Sequence, residues 1–190
     1  YILTRYKFPG KGILDALLYA GMMFPIYSTI IPVLRMMTGW GIVNTPHVSL
    51  NLLSVILPQI AGNMSFAIIV LRSYMRGLPV ELEEAAVMDG CGIYRILFQI
   101  ITPMLKSSIA TVAIMTFLNN WNEFMMATTY LSSPKWKTLP FSVLEFTGEY
   151  SSNYAVQFAV MALTAAPAVI VYIALNKHIT KGAAMGAVKG

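Results

Sequence analysis

The chain has 190 residues, of which 57% are hydrophobic and only 11% charged, against roughly 45–50% and 25% in an average soluble chain. That balance excludes a water-soluble core with a charged shell. The formal charge of +5 is scattered at the ends of apolar runs rather than gathered on one face among aromatics, which speaks against a nucleic-acid surface and fits the positive-inside bias of membrane proteins.

Residues 1–11 carry Arg5, Lys7 and Lys11 with a Pro9-Gly10 turn signal, and read as a cytoplasmic loop after the tail of an earlier span ending at Leu3. The chain starts at Tyr1 without the pattern of a cleavable signal, and reads as a piece whose N-terminal part is missing. The first complete span is predicted over 13–33. Gly21, Pro25 and Pro32 interrupt it, and because every backbone group in lipid needs an internal partner, the prolines predict kinks. Asp15 lies near its cytoplasmic end. The break over 35–49 holds Gly39, Trp40, Gly41, Asn44 and Pro46, with Trp40 as an interfacial anchor. His47 has no second metal ligand nearby. A second span is predicted over 50–71. Asn51, Gln59 and Asn63 make it polar, as expected where side chains bond across helices, and Pro58 and Gly62 lie inside it. Asn63-Met64-Ser65 spells a glycosylation site but lies within that span.

The region over 72–106 follows, with a polar island over 78–90. Glu81, Glu83, Glu84 and Asp89 are four of the eight acidic residues. Pro79 suits a first helical position. The glutamates suit a first turn, where the helix dipole favours negative charge, and Gly90 suits the left-handed residue that ends a helix. A helix of about ten residues is marginal in water, so it is expected to dock against a partner. Cys91, the single cysteine, reads as a small loop residue. A second helical stretch over 93–100 is predicted to run back toward the membrane.

The third span is predicted over 107–131. It holds Asn119, Asn120, Trp121, Asn122 and Glu123, with Tyr130 and the Ser132-Ser133-Pro134 cluster at its outer end. An ionisable group within a span is costly and marks a functional site by default. Glu123 lies about 17 residues beyond Lys106, roughly 25 Å along a helix, hence in the outer half. Amides, an indole and a carboxylate suit a hydroxyl-rich ligand, and would line a translocation path or its outer gate; packing and hydrogen bonding between helices is the alternative. An outer loop with Lys135, Lys137, Glu145 and Glu149 leads to a fourth span over 154–175, broken by Pro167, and to a basic tail with Lys177, His178, Lys181 and Lys189. The thirteen methionines read as adaptable packing. There is no phosphate loop, zinc-binding histidine pair or nucleophile elbow, so neither an enzyme nor a metal or cofactor site is expected.

The pattern Glu84-Ala85-Ala86, three residues, Gly90, nine residues, Ile100, two residues, Pro103 resembles the EAA loop of binding-protein-dependent ABC importer permeases. Thr102 departs from the leucine usual before that proline, which is expected to weaken no more than a packing contact. Arg5-Tyr6-Lys7-Phe8, the Pro25 and Pro32 span, Gly41-Ile42-Val43-Asn44-Thr45, Trp121-Asn122-Glu123, Thr138-Leu139-Pro140 and the Gly-Ala-Val-Lys-Gly ending look like the carbohydrate branch, nearest to the smaller permease of maltose-type systems.

The resemblance implies an all-α polytopic transmembrane bundle of the type I importer class. It would be one membrane domain over 1–190, with four complete spans of a usual six. Glu84, Ala85, Ala86, Asp89, Gly90 and Pro103 would couple it to a separate ATPase, with Glu84 facing basic residues and Gly90 allowing the turn. The implied partners are a second permease, an ABC ATPase dimer, a solute-binding protein, a sugar and the lipid bilayer. Arg5, Lys7, Lys11, Arg72, Arg76, Arg95, Lys106, Lys177, Lys181 and Lys189 fall on one side, and only Arg35, Lys135 and Lys137 on the other. That places the EAA loop and the C-terminus in the cytoplasm of a bacterial or archaeal cell. A same-superfamily permease for an amino acid, polyamine or glycerol phosphate is the alternative, and a structural membrane subunit without a path the more distant one.

Overall fold

The computed structural model describes residues 1–133, 136–145 and 153–187. Calls on Pro134, Lys135, Gly148, Glu149, Tyr150 and Lys189 lie outside the described residues, as do the side chains of Glu145, Lys177, His178 and Lys181. The described residues are helical and loop only.

Helix α1 is Ile2–Arg5, and the predicted first span over 13–33 is two helices, α2 at Lys11–Met23 and α3 at Ile26–Gly39. Helices α2 and α3 meet at 105°. The cause is Pro25: it forces Phe24 into extended backbone at φ −72, ψ 122, out of the helical region. Pro32 sits inside α3 and does not break it. Helix α3 ends in a glycine cap at Gly41, φ +69. The Ile42 and Gly41 N–H groups donate back to the Met37 and Thr38 carbonyls.

Helix α4, Val48–Arg76, is longer than its predicted span and carries Pro58 within it. Helix α5, Glu81–Met88, is the predicted docking helix. It starts two residues later than Pro79 suggested, because Gly77 to Val80 are used in a turn. Helix α6, Ile93–Met104, widens into a π turn over Ile96–Ile101. Pro103 supplies no N–H and cannot continue a tight helix, and the wider turn accommodates it. The Thr102 hydroxyl donates to the Leu97 carbonyl at 2.7 Å. The departure at Thr102 is therefore a hydrogen bond inside the π turn, not merely a weaker packing contact.

The predicted third span over 107–131 is also divided. Helix α7, Lys106–Trp121, ends at Asn122, and a short α8, Met125–Tyr130, follows. Helices α6 and α7 bend by 74° at Leu105. Leu139–Phe141 form one 3₁₀ turn, and α9 is Ser142–Glu145. Helix α10, Tyr154–Ala187, contains Pro167 and passes the length and hydropathy test for a membrane crossing over Tyr154–Leu175, as α4 does over its whole length. Counting each bent pair as one span, the described residues hold up to four spans. The pairs are 11–39 and 93–121, so the boundaries differ from 13–33 and 107–131.

Buried apolar residues form two clusters. One joins Ile30, Val55, Met126, Ala127, Tyr130 and Leu131, with the Tyr130 hydroxyl donating to the Ile30 carbonyl at 2.7 Å. The other joins Met75, Ala86, Ile96, Ile101 and Leu105, with Cys91 packed against it. Between them α2 approaches α4 closely at Gly21, where a Cβ would lie 2.6 Å from Ser65 Oγ.

Candidate functional site

Helix α5 is seated by one face. Ala86 is buried in the second cluster and Glu83 beneath the helix, whereas Glu84, Ala85, Asp89 and Gly90 are exposed. Val87 and Met88 also face outward, at 59% and 87% exposure, so the exposed surface of the helix offers the acids Glu81, Glu84 and Asp89 beside apolar side chains. Its end is a closed motif. Gly90 lies at φ +76, the Gly90 N–H donates to the Val87 carbonyl and the Cys91 N–H to the Ala86 carbonyl, both at 2.9 Å. This double bond pattern satisfies the last carbonyls and turns the chain sharply. Pro103 is exposed in the last turn of α6, outside α5 and its cap.

Two ion pairs not read from the sequence brace this region. Arg5 Nε donates to Glu83 Oε1 at 2.6 Å, the Tyr1 hydroxyl to Glu83 Oε2 at 2.8 Å, and Arg5 Nη2 to the Leu78 carbonyl at 3.1 Å. Burial and the bond to the Glu83 carboxylate push the Tyr1 phenol above its ordinary range. Asp15 accepts from both terminal nitrogens of Arg72, Nη1 to Oδ1 and Nη2 to Oδ2, the latter at 2.9 Å. Segment 1–11 and the EAA loop thus lie at the same end of the bundle.

The Asn119–Glu123 group divides in two. Asn119, Asn120, Asn122 and Glu123 line a cavity of ≈ 410 Å³ with Tyr27, Gln59 and Asn63. The Asn63 amide donates to Asn120 Oδ1 at 2.9 Å and to the Gln59 carbonyl at 2.8 Å. The side-chain amides of Asn119 and Asn122 are engaged by no hydrogen bond among the described residues, so they face the cavity with donors and acceptors unused. Trp121 turns away: its Nε1–H donates to the Thr164 carbonyl of α10 at 2.9 Å and its ring stacks on Phe117. A second, more apolar cavity of ≈ 610 Å³ adjoins, sharing Asn63 and Asn119 and walled by Gly21, Met22 and Phe24 of the α2–α3 elbow.

Glu123 has a structural task as well. Its oxygens accept the Met126 and Ala127 N–H groups at 2.6 and 3.0 Å, satisfying two of the free donors at the start of α8. Glu123→Ala leaves both unpaired and should cost about 0.5–2 kcal/mol, measured as a lower unfolding midpoint of the detergent-solubilised assembly. Glu123→Gln keeps one acceptor and should lose less. Among the described residues no cluster of metal ligands occurs.

The profile of the family described as binding-protein-dependent transport system inner membrane component matches residues 1–184. The chain belongs to that family. This permease-family chain is 33% identical over 190 residues to the probable ABC transporter permease protein YurM of Bacillus subtilis, covering 100% of this chain and 61% of that protein. It is 34% identical to the arabinooligosaccharides transport system permease protein AraQ of Halalkalibacterium halodurans, covering 100% and 65%. It is 32% identical to the melibiose/raffinose/stachyose import permease protein MelC of Bacillus subtilis, covering 100% and 67%. The chain therefore spans about 61–67% of the length of these relatives. A crystal structure of a bacterial ABC transporter involved in import of the polysaccharide alginate shares the fold at TM-score 0.72 and 21% identity, over 93% of this chain and 65% of that one.

Proposed function

We propose that this chain is the permease subunit of an ATP-driven importer that moves a sugar or oligosaccharide by alternating access. The observation that carries the reading is the pairing of an outward-facing α5, seated on its own small core, with an amide-lined cavity between α3, α4 and α7. Unengaged Asn119 and Asn122 amides beside Tyr27 suit hydroxyl groups on an apolar ring face. The names of the relatives, which mention arabinooligosaccharides and melibiose, raffinose and stachyose, favour the same substrate class.

In this reading Glu84, Ala85, Ala86, Asp89 and Gly90 form the contact to an ABC ATPase dimer, and Pro103 sets the π turn behind them. A solute-binding protein delivers the solute outside, and a second homologous permease completes the path. ATP draws the two ATPase subunits together, α5 is carried with them, and the spans rock around the cavity. The EAA loop and C-terminus face the cytoplasm of a bacterial or archaeal cell.

The test is uptake by the assembled importer against a panel of labelled oligosaccharides, amino acids, polyamines and glycerol phosphate. Uptake of an oligosaccharide is expected, and Asn122→Ala should raise KM by up to about tenfold, since one hydrogen bond to the solute contributes roughly 0.5–1.5 kcal/mol. Uptake of a non-sugar solute alone would transfer the chain to that alternative. Unchanged affinity and rate in Asn122→Ala, with assembly intact, would remove the cavity from the path.

A further inference from the structure

The joint between α4 and α5 is only Gly77 to Val80, and a glycine-led turn of that length bends easily. Beyond the seat of Ala86 in the second cluster, a push on α5 would be spent there unless something else held the helix. The structure supplies that hold from the far N-terminal side. Glu83, 7% exposed, is gripped by Arg5 and Tyr1, and the same Arg5 holds the Leu78 carbonyl inside the joint. Helix α1 therefore clamps both the turn and the first turn of α5. Six residues beyond the Arg5 clamp α2 begins, and its Asp15 holds Arg72, one turn before α4 ends. The α1–α2 elbow is closed by Lys11 Nζ donating to the Tyr6 carbonyl at 3.0 Å. It is thus tied on both sides of the joint.

We propose that Arg5 and Glu83 are positioning residues that make α5, α1 and α2 move as one body, so that displacement of α5 reaches the cavity wall through α2. Helix α2 is about 20 Å long, and its far end carries Gly21 and Met22, which line the apolar cavity beside Asn63. Burial makes the pair stiff: with side chains 12% and 9% exposed, separating the charges leaves each poorly solvated. The inference rests on the coupling role proposed for α5.

The experiment uses the complete importer in proteoliposomes, with solute transported per ATP hydrolysed as the readout. Hydrogen exchange of the α5 amides in the same complex is the second readout. Glu83→Gln and Arg5→Gln should retain the ATPase and hydrolyse ATP, while transport per ATP falls about tenfold and α5 amides exchange about tenfold faster. Arg5→Glu combined with Glu83→Arg should restore part of both, since it rebuilds the ion pair but not the bonds to the Leu78 carbonyl and from the Tyr1 hydroxyl. Transport per ATP equal to the parent, or unchanged α5 exchange, overturns the inference. So does a parallel loss of ATPase, hydrolysis and transport that the reversed pair does not rescue, since that marks a purely structural pair. A parent complex that moves no solute with ATP sinks the coupling role itself, while the exchange comparison still decides whether the pair holds α5.

Discussion

Replacing Gly90 with valine is expected to separate this chain from the ATPase proposed as its partner. At φ +76 a β-branched residue is strained by about 1–2 kcal/mol or more, and nothing lies within 4 Å of the added Cβ, so the penalty is backbone strain and not crowding. Helix α5 has eight residues and little stability of its own. Losing the two capping bonds from Gly90 and Cys91 unwinds its last turn, where the exposed Val87, Met88 and Asp89 sit. Co-purification of the ATPase should fall at least tenfold for Gly90→Val, clearly for Gly90→Asp, and least for Gly90→Asn, because asparagine tolerates the left-handed region best. Normal transport and ATPase retention in Gly90→Val and Gly90→Asp would sink the coupling assignment.

Enlarging Gly21 is expected to damage the bundle in proportion to size. Its Cβ would meet Ser65 Oγ at 2.6 Å and Ser65 Cβ at 3.6 Å. A serine hydroxyl can rotate aside for one methyl, so Gly21→Ala should be mild. The two extra carbons of Gly21→Val cannot be cleared by that rotation, and overpacking of this kind costs about 1–3 kcal/mol. It also forces α2 from α4, where the helices depend on close approach. The yield of monodisperse assembly should drop stepwise from Gly21 to Ala to Val, and Ser65→Gly should restore much of the valine variant. Equal yields across the series would show that α2 and α4 do not need this contact.

The residues with local rules were legible early. Gly90 could be read as a left-handed cap because only the four residues before it and one after it define the motif. Pro25 could be read as a break because its ring constrains Phe24 directly, although the 105° angle depends on how α3 packs on α4 and α8. Asn119 and Asn122 could be picked out because amides in an apolar run are costly wherever they point. Glu83 and Glu84 show the limit. They are neighbours of the same type in the same turn, yet one is buried on Arg5 and the other exposed. Rotation of 100° between successive helical positions sends them to opposite surroundings, and the surroundings are supplied by residues 78 positions away.

Glu123 and Trp121 make the same point at the end of α7. Both belong to one polar group, but the carboxylate caps α8 and lines a cavity, while the indole crosses to the Thr164 carbonyl. Composition and local residue signals alone determined that this chain is a helical membrane protein, and that a short acidic helix interrupts its spans. Those properties follow from hydropathy, charge and backbone restraints that act within a few residues. Only the tertiary structure decided which of the acids is a brace, which amides are left unused, and how α1 and α2 are tied to α5, because each depends on a partner that the fold brings from a distant part of the chain.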